Sequence, residues 1–139
     1  PLLYTSDYFE KHRREYYEIL LTTNKTGKFE DWIKFFLEAI KVQSEDALDR
    51  TIKIQKLREE YQRKTKNHKQ ASNLLNVIDT LFLNPFVQIN QIASKLNVTY
   101  PTAKKAVDNL VKLEILKPVK GIERNKLFVA HEILNIITL

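Results

Sequence analysis

Ten side chains between positions 99 and 126 have the types and spacing to engage a polyanion: Thr99, Tyr100, Thr102, Lys104, Lys105, Lys112, Lys117, Lys120, Arg124 and Lys126. Seven of these carry positive charge. A lysine or arginine beside a phosphate displaces condensed counterions, and a hydroxyl or phenol can hydrogen-bond a phosphate oxygen or a base edge. The chemistry open to this set is recognition of DNA rather than bond making. Any single lysine is more often part of a solvated face; the grouping of seven on one expected surface carries the DNA reading.

Residues for catalysis are hard to find. Gly27 and Gly121 are the only glycines, so no glycine-rich loop can cradle a phosphate. His131-Glu132 opens a zinc-protease pattern, but Asn135 stands where the second histidine belongs. Acidic pairs such as Glu30-Asp31, Glu45-Asp46 and Glu59-Glu60 lie among lysines on expected helices, which is the pattern of solvated charge. His12 and His68 have no neighbouring ligands in the sequence.

The elements that must position the basic set lie within Gln88–Val129. Ile89, Ile92, Ala93 and Leu96 recur at helical spacing and predict a short helix. Asn97-Val98-Thr99 breaks it, and Thr99 is placed to cap the next helix through its side chain. Pro101 suits the first turn of that second helix. Ala103, Val107, Leu110 and Leu113 form its apolar stripe. This is a helix-turn-helix pattern. Ile115–Val119 and Lys126–Ala130 then read as strands around a turn at Lys120–Asn125, with Phe86–Gln88 as a further short strand at the edge. A hairpin directly after a recognition helix is the wing of a winged helix. That mode sets the second helix in the major groove and the wing over the backbone. Winged helices also serve as protein-interaction modules, and the fold does not choose between the two uses.

The remainder of the chain is expected to be helical. Ser6 is an N-cap candidate for one helix running to about Thr23, with Phe9, Tyr16, Tyr17 and Leu20 on one face and Gly27 closing it. One or two helices follow from about Phe29 to Tyr61, apolar nearly all round at Trp32, Phe35, Phe36 and Ile40 and narrower later. Ser72 is expected to cap a helix that Asn84-Pro85 stops, and His131–Leu139 forms a final apolar helix. The basic stretch Gln62–Gln70 marks a boundary. The expected organisation is thus mainly α: a helical segment over 1–66, then a winged helix-turn-helix domain with a small β-hairpin wing over 67–139.

Composition agrees with a nucleic-acid partner without requiring one. The 139 residues carry a net charge of +6. Residues 1–67 hold fourteen Lys or Arg against twelve Asp or Glu; residues 68–139 hold nine against five, so the excess sits with the expected wing domain. The absence of cysteine fits a reducing compartment, and a cytoplasmic location is expected. No apolar run is long enough to span a membrane. A chain that starts at Pro1 and lacks methionine reads as a piece of a longer protein.

Pro1-Leu2-Leu3-Tyr4, Ser6, Tyr8-Phe9, His12-Arg13 and Tyr16-Tyr17 resemble the segment that follows the active-site motif in Fic family proteins. Trp32, Phe35-Phe36-Leu37, Leu57-Arg58 and Tyr61 are similar to the closing helices of that domain. Asn97-Val98-Thr99, Pro101-Thr102-Ala103 and Leu113-Glu114-Ile115-Leu116 resemble the winged helix that many bacterial members carry at the C-terminus. The first seventeen residues are the most specific part. The resemblance implies a parent that transfers AMP from ATP, with magnesium, to a protein hydroxyl. The family signature, His-x-Phe-x-(Asp/Glu)-Gly-Asn-(Gly/Lys)-Arg-x-x-Arg, is absent: the histidines precede Arg13, Lys69 and Glu132. No inhibitory glutamate motif is recognisable either. The expectation is therefore a C-terminal Fic-type piece with no cofactor and no transferase activity of its own. Its winged helix would bind DNA and regulate transcription, or mediate dimerisation or target recruitment. A free-standing regulator with no enzyme attached is the remaining alternative.

Overall fold

The computed structural model describes residues 5–121 and 126–138. It is mainly helical with a small antiparallel sheet. By packing, the chain forms two compact units, residues 1–52 and 53–139.

The first unit begins with α1 (Thr5–Lys11) and α2 (Arg13–Thr26), followed by the start of α3 (Glu30–Thr65). The single helix expected from Ser6 to Thr23 is in fact two. Ser6 lies inside α1, and the helical path is interrupted at His12, whose ring stacks on Tyr8 at 4.2 Å. Gly27 ends α2 as its composition requires: it adopts φ +70°, and its N–H donates to Thr23 O at 2.8 Å. The aromatic side chains of this unit pack on one another. Phe9 stacks on Tyr16 at 5.1 Å, both approach Phe35 within 6.0 Å, and Trp32 stacks on Phe36 at 5.4 Å. Phe35, Ala39 and Gln43, four residues apart on α3, are buried.

The second unit contains the rest of α3, then α4 (Ala71–Leu83), β1 (Phe86–Gln88), α5 (Ile89–Leu96), α6 (Tyr100–Lys112), β2 (Lys117–Pro118), β3 (Leu127–Val129) and α7 (His131–Thr138). Sequence reading places the boundary between 66 and 67; the packed units divide inside α3, because Leu57 and Tyr61 belong to the second core. That core joins them to Leu74, Val77, Ile78 and Leu81 of α4, Ile92 of α5 and Val107 and Leu110 of α6. Arg58 and Asp79 tie α3 to α4 at 2.7 Å. α4 starts at Ala71 with Gln70 in the cap position and no side-chain cap bond, so Ser72 is within the helix rather than at its cap. Asn84 ends α4 as expected.

The strand order is β1-β3-β2, all antiparallel. Phe86 pairs with Val129 on one edge of β3, and Lys117 pairs with Val129 on the other. The two later strands are shorter than the sequence implies. Ile115 and Leu116 are spent on closing α6: both amides donate to Leu110 O, at 3.0 and 3.2 Å. Only Lys117 and Pro118 remain to pair, and Pro118 brings no N–H to the ladder.

Candidate nucleic-acid interface

α5 and α6 are joined by Asn97-Val98-Thr99. Gln88 N–H donates to Gln91 Oε1 at 3.2 Å at the entry to α5. Asn97 leaves α5 in the left-handed region at φ 52°, which asparagine tolerates better than most residues. Val98 N–H then donates to Ala93 O at 3.0 Å. Thr99 takes the cap position of α6, but its side chain does not cap. Its carbonyl accepts from Ala103 N–H at 3.0 Å, while its hydroxyl sits 2.9 Å from that of Thr102. Pro101 is in the first turn, as expected.

Burial sorts the α6 side chains into two faces. Ala103, Ala106, Val107 and Leu110 point into the core. Ala106 was not in the expected stripe, although it lies three residues from Ala103. On the opposite face are Lys104, Lys105 and Lys112, all exposed, together with Asp108. Tyr100 is 50% exposed at the N-terminal end, beside exposed Thr99 and half-buried Thr102. The three α6 lysines of the expected set are therefore brought together on one side of the helix, with Tyr100 and Thr102 on its two flanks at the N-terminal end.

An acidic residue interrupts that side. Lys104 Nζ lies 2.7 Å from Asp108 Oδ2. This hydrogen bond, followed by the Asp108 charge, holds the Lys104 ammonium above its ordinary range. Among the described residues Lys105 and Lys112 have no such ion-pair partner. The Lys104–Asp108 spacing of four residues on a helix was available in the sequence and is the signal that the expected site omitted.

The residues expected on a wing divide. Lys120 lies in the turn after β2, and Lys126 immediately precedes β3; both are exposed. Val119 N–H donates to Leu127 O at 2.9 Å, which holds the two sides of this connection together. Gly121 adopts φ +86° in the turn. Lys117 is exposed as well, and it lines a cleft of about 150 Å³ with Lys64, Glu114, His131 and Glu132. Arg124 lies outside the described residues.

Both glycines are committed to turns, Gly27 after α2 and Gly121 after β2. Among the described residues no three His, Asp or Glu side chains gather as metal ligands. No helix among them is long and apolar enough to cross a membrane. No family model matches the chain.

Proposed function

We propose that the second unit is a winged helix-turn-helix module that binds duplex DNA, with α6 in the major groove and the β2–β3 connection over the phosphate backbone. The observation that carries this reading is the face of α6: three exposed lysines lie opposite a fully packed apolar face, at the second helix of a tight helix–turn–helix pair. A helix so mounted can enter a groove without losing its seat in the core. Lys120 and Lys126 add charge at the hairpin, where the wing would pass a phosphate strand. Thr99, Tyr100 and Thr102 stand at the positive end of the α6 dipole, a favourable place for phosphate oxygens. The resemblance to Fic family proteins supports a regulatory role within a longer AMP-transferring protein, with this piece itself inert in AMP transfer.

The Lys104–Asp108 pair favours one rival reading. It lowers the net charge of the α6 face and suits a mixed-charge protein contact, such as dimerisation or target recruitment. Fluorescence anisotropy with a labelled duplex, titrated at several salt concentrations, separates the readings. DNA binding through this face predicts a steep loss of affinity with salt. Lys105→Ala with Lys112→Ala would flatten the log–log slope by up to about two units, at about 0.9 per phosphate contact. No affinity for any duplex at low salt would hand the module to the protein-contact reading.

A further inference from the structure

We propose that the first unit pairs with a second copy of this chain through an antiparallel contact of the α3 helices. This inference is independent of the DNA reading. The face of α3 that packs inward carries Phe35, Ala39 and Gln43. A different face, turned roughly 150° round the helix at 100° per residue, is also apolar and faces solvent. Ile33, Leu37, Leu48 and Ile52 lie on it, with Phe29 just before the helix in line with them; the five are exposed by 60 (Phe29), 47, 58, 61 and 42% in chain order. Together they leave on the order of 500 Å² of apolar surface, near the upper end of what monomers display. The rings of Phe9, Tyr16, Trp32, Phe35 and Phe36 are occupied with one another, and the open surface is elsewhere.

The charges beside the stripe select the occupant. Lys34, Glu38, Lys41 and Glu45 run along one edge of it in alternating sign. Reversed, the pattern becomes its own complement. With a two-fold axis between Ala39 and Ile40, Lys34 of one copy stands opposite Glu45 of the other, and Glu38 opposite Lys41. Symmetry doubles both pairs. In the same register Phe29 falls between Leu48 and Ile52 of the second copy, and Ile33 between Ser44 and Leu48, so the apolar side chains interdigitate. Glu30 opposite Asp49 is the one like-charged pairing, at the ends of the stripe. The existing ion pairs on this edge, Lys34–Asp31 at 3.9 Å and Lys41–Glu38 at 3.5 Å, are long and exposed, and yield at little cost.

The test uses the full chain. Sedimentation velocity should show a monomer–dimer equilibrium, and Leu37→Glu with Leu48→Glu should shift it to monomer while the circular-dichroism melting curve stays in place. Lys34→Glu with Lys41→Glu should weaken the dimer at least about tenfold, and adding Glu38→Lys with Glu45→Lys should restore it, since the reversed pattern is again self-complementary. The chain has no cysteine, so orientation can be read directly. Ile40→Cys should form a disulfide-linked dimer on oxidation. Phe29→Cys should not, because antiparallel pairing holds the two copies of that position roughly 30 Å apart at the helical rise. A monomer at every concentration, a dimer indifferent to the glutamates, or cross-linking of both cysteine variants would overturn the proposal.

Discussion

Tyr61 and Glu132 meet across 71 positions of chain: the Tyr61 hydroxyl donates to Glu132 Oε2 at 2.9 Å and so links α3 to α7. Tyr61 is fully buried in the core, whereas Glu132 is exposed on α7. Tyr61→Phe should therefore cost only about 1 kcal/mol, because the released carboxylate can turn to water. Tyr61→Ala also opens a cavity beside Leu57 and Phe82 and should cost about 3–5 kcal/mol. Urea denaturation of both variants checks the ordering.

The same residue gives the fold a dependence on alkaline pH. Burial first, then the hydrogen bond to Glu132 and its charge, hold the Tyr61 phenol well above its usual value of 10.0. The folded-state pKa exceeds the unfolded one. The phenol's contribution is therefore intact below about pH 10 and is lost as pH rises past it, by about 1.4 kcal/mol per pH unit. Stability measured from pH 9 to 11 should fall more steeply for the unmodified chain than for Tyr61→Phe. Parallel curves would show that this phenol is not protected by folding.

Leu110 is completely buried where α6 meets α4 and α5. Leu110→Ala should lower stability by roughly 2–5 kcal/mol. An unchanged melting midpoint would mean that the inward face of α6 is misassigned.

Helix periodicity made much of this second unit legible. The bounds of α5 follow from Ile89, Ile92 and Leu96, and Leu110 falls on the inward face that its spacing requires. Local rules failed where a longer-range demand intervened. Ser72 and Thr99 have the chemistry of caps, yet neither uses its side chain to cap a helix end. Ile115 and Leu116 have the composition of a strand but serve the closure of α6. Tyr61 pairing with Glu132 could not be read from sequence at all, since no spacing rule spans two helices so far apart. Of the candidate interface, the α6 lysines were legible by position. The cleft that Lys117 lines with Glu114 and Glu132 depends on tertiary placement and was not.

Among the described residues, two that are not glycine take left-handed backbone, Asn97 at φ 52° and Glu114 at φ 60°. Asparagine bears that conformation more easily than glutamate does. Glu114→Gly should stabilise the fold by about 0.5–1 kcal/mol, and Asn97→Ala should destabilise it by a similar amount. Thermal denaturation decides both signs. A stabilised Asn97→Ala would contradict the role given to this turn.

Asp108 is the most direct probe of the DNA reading. It occupies the same face of α6 as Lys104, Lys105 and Lys112 and neutralises the first of them at 2.7 Å. If that face meets phosphates, Asp108 repels them and also withholds Lys104 from them. Asp108→Asn should then tighten duplex binding by about 3–10-fold at low salt and steepen the salt slope by up to about 0.9, the value of one added phosphate contact. Lys105→Ala should move the slope by a similar amount in the opposite direction. Lys105 is exposed and Asp108 half-buried with its carboxylate at the surface, and the folded state should register neither change strongly. Tyr100→Ala, at the N-terminal edge, should weaken binding with little change in slope if the ring meets a sugar or base edge. Opposite slope changes at Asp108 and Lys105, in proteins of equal melting temperature, place α6 against the phosphates. Unaltered affinity for both variants would remove α6 from the DNA surface, whatever affinity the intact chain retains.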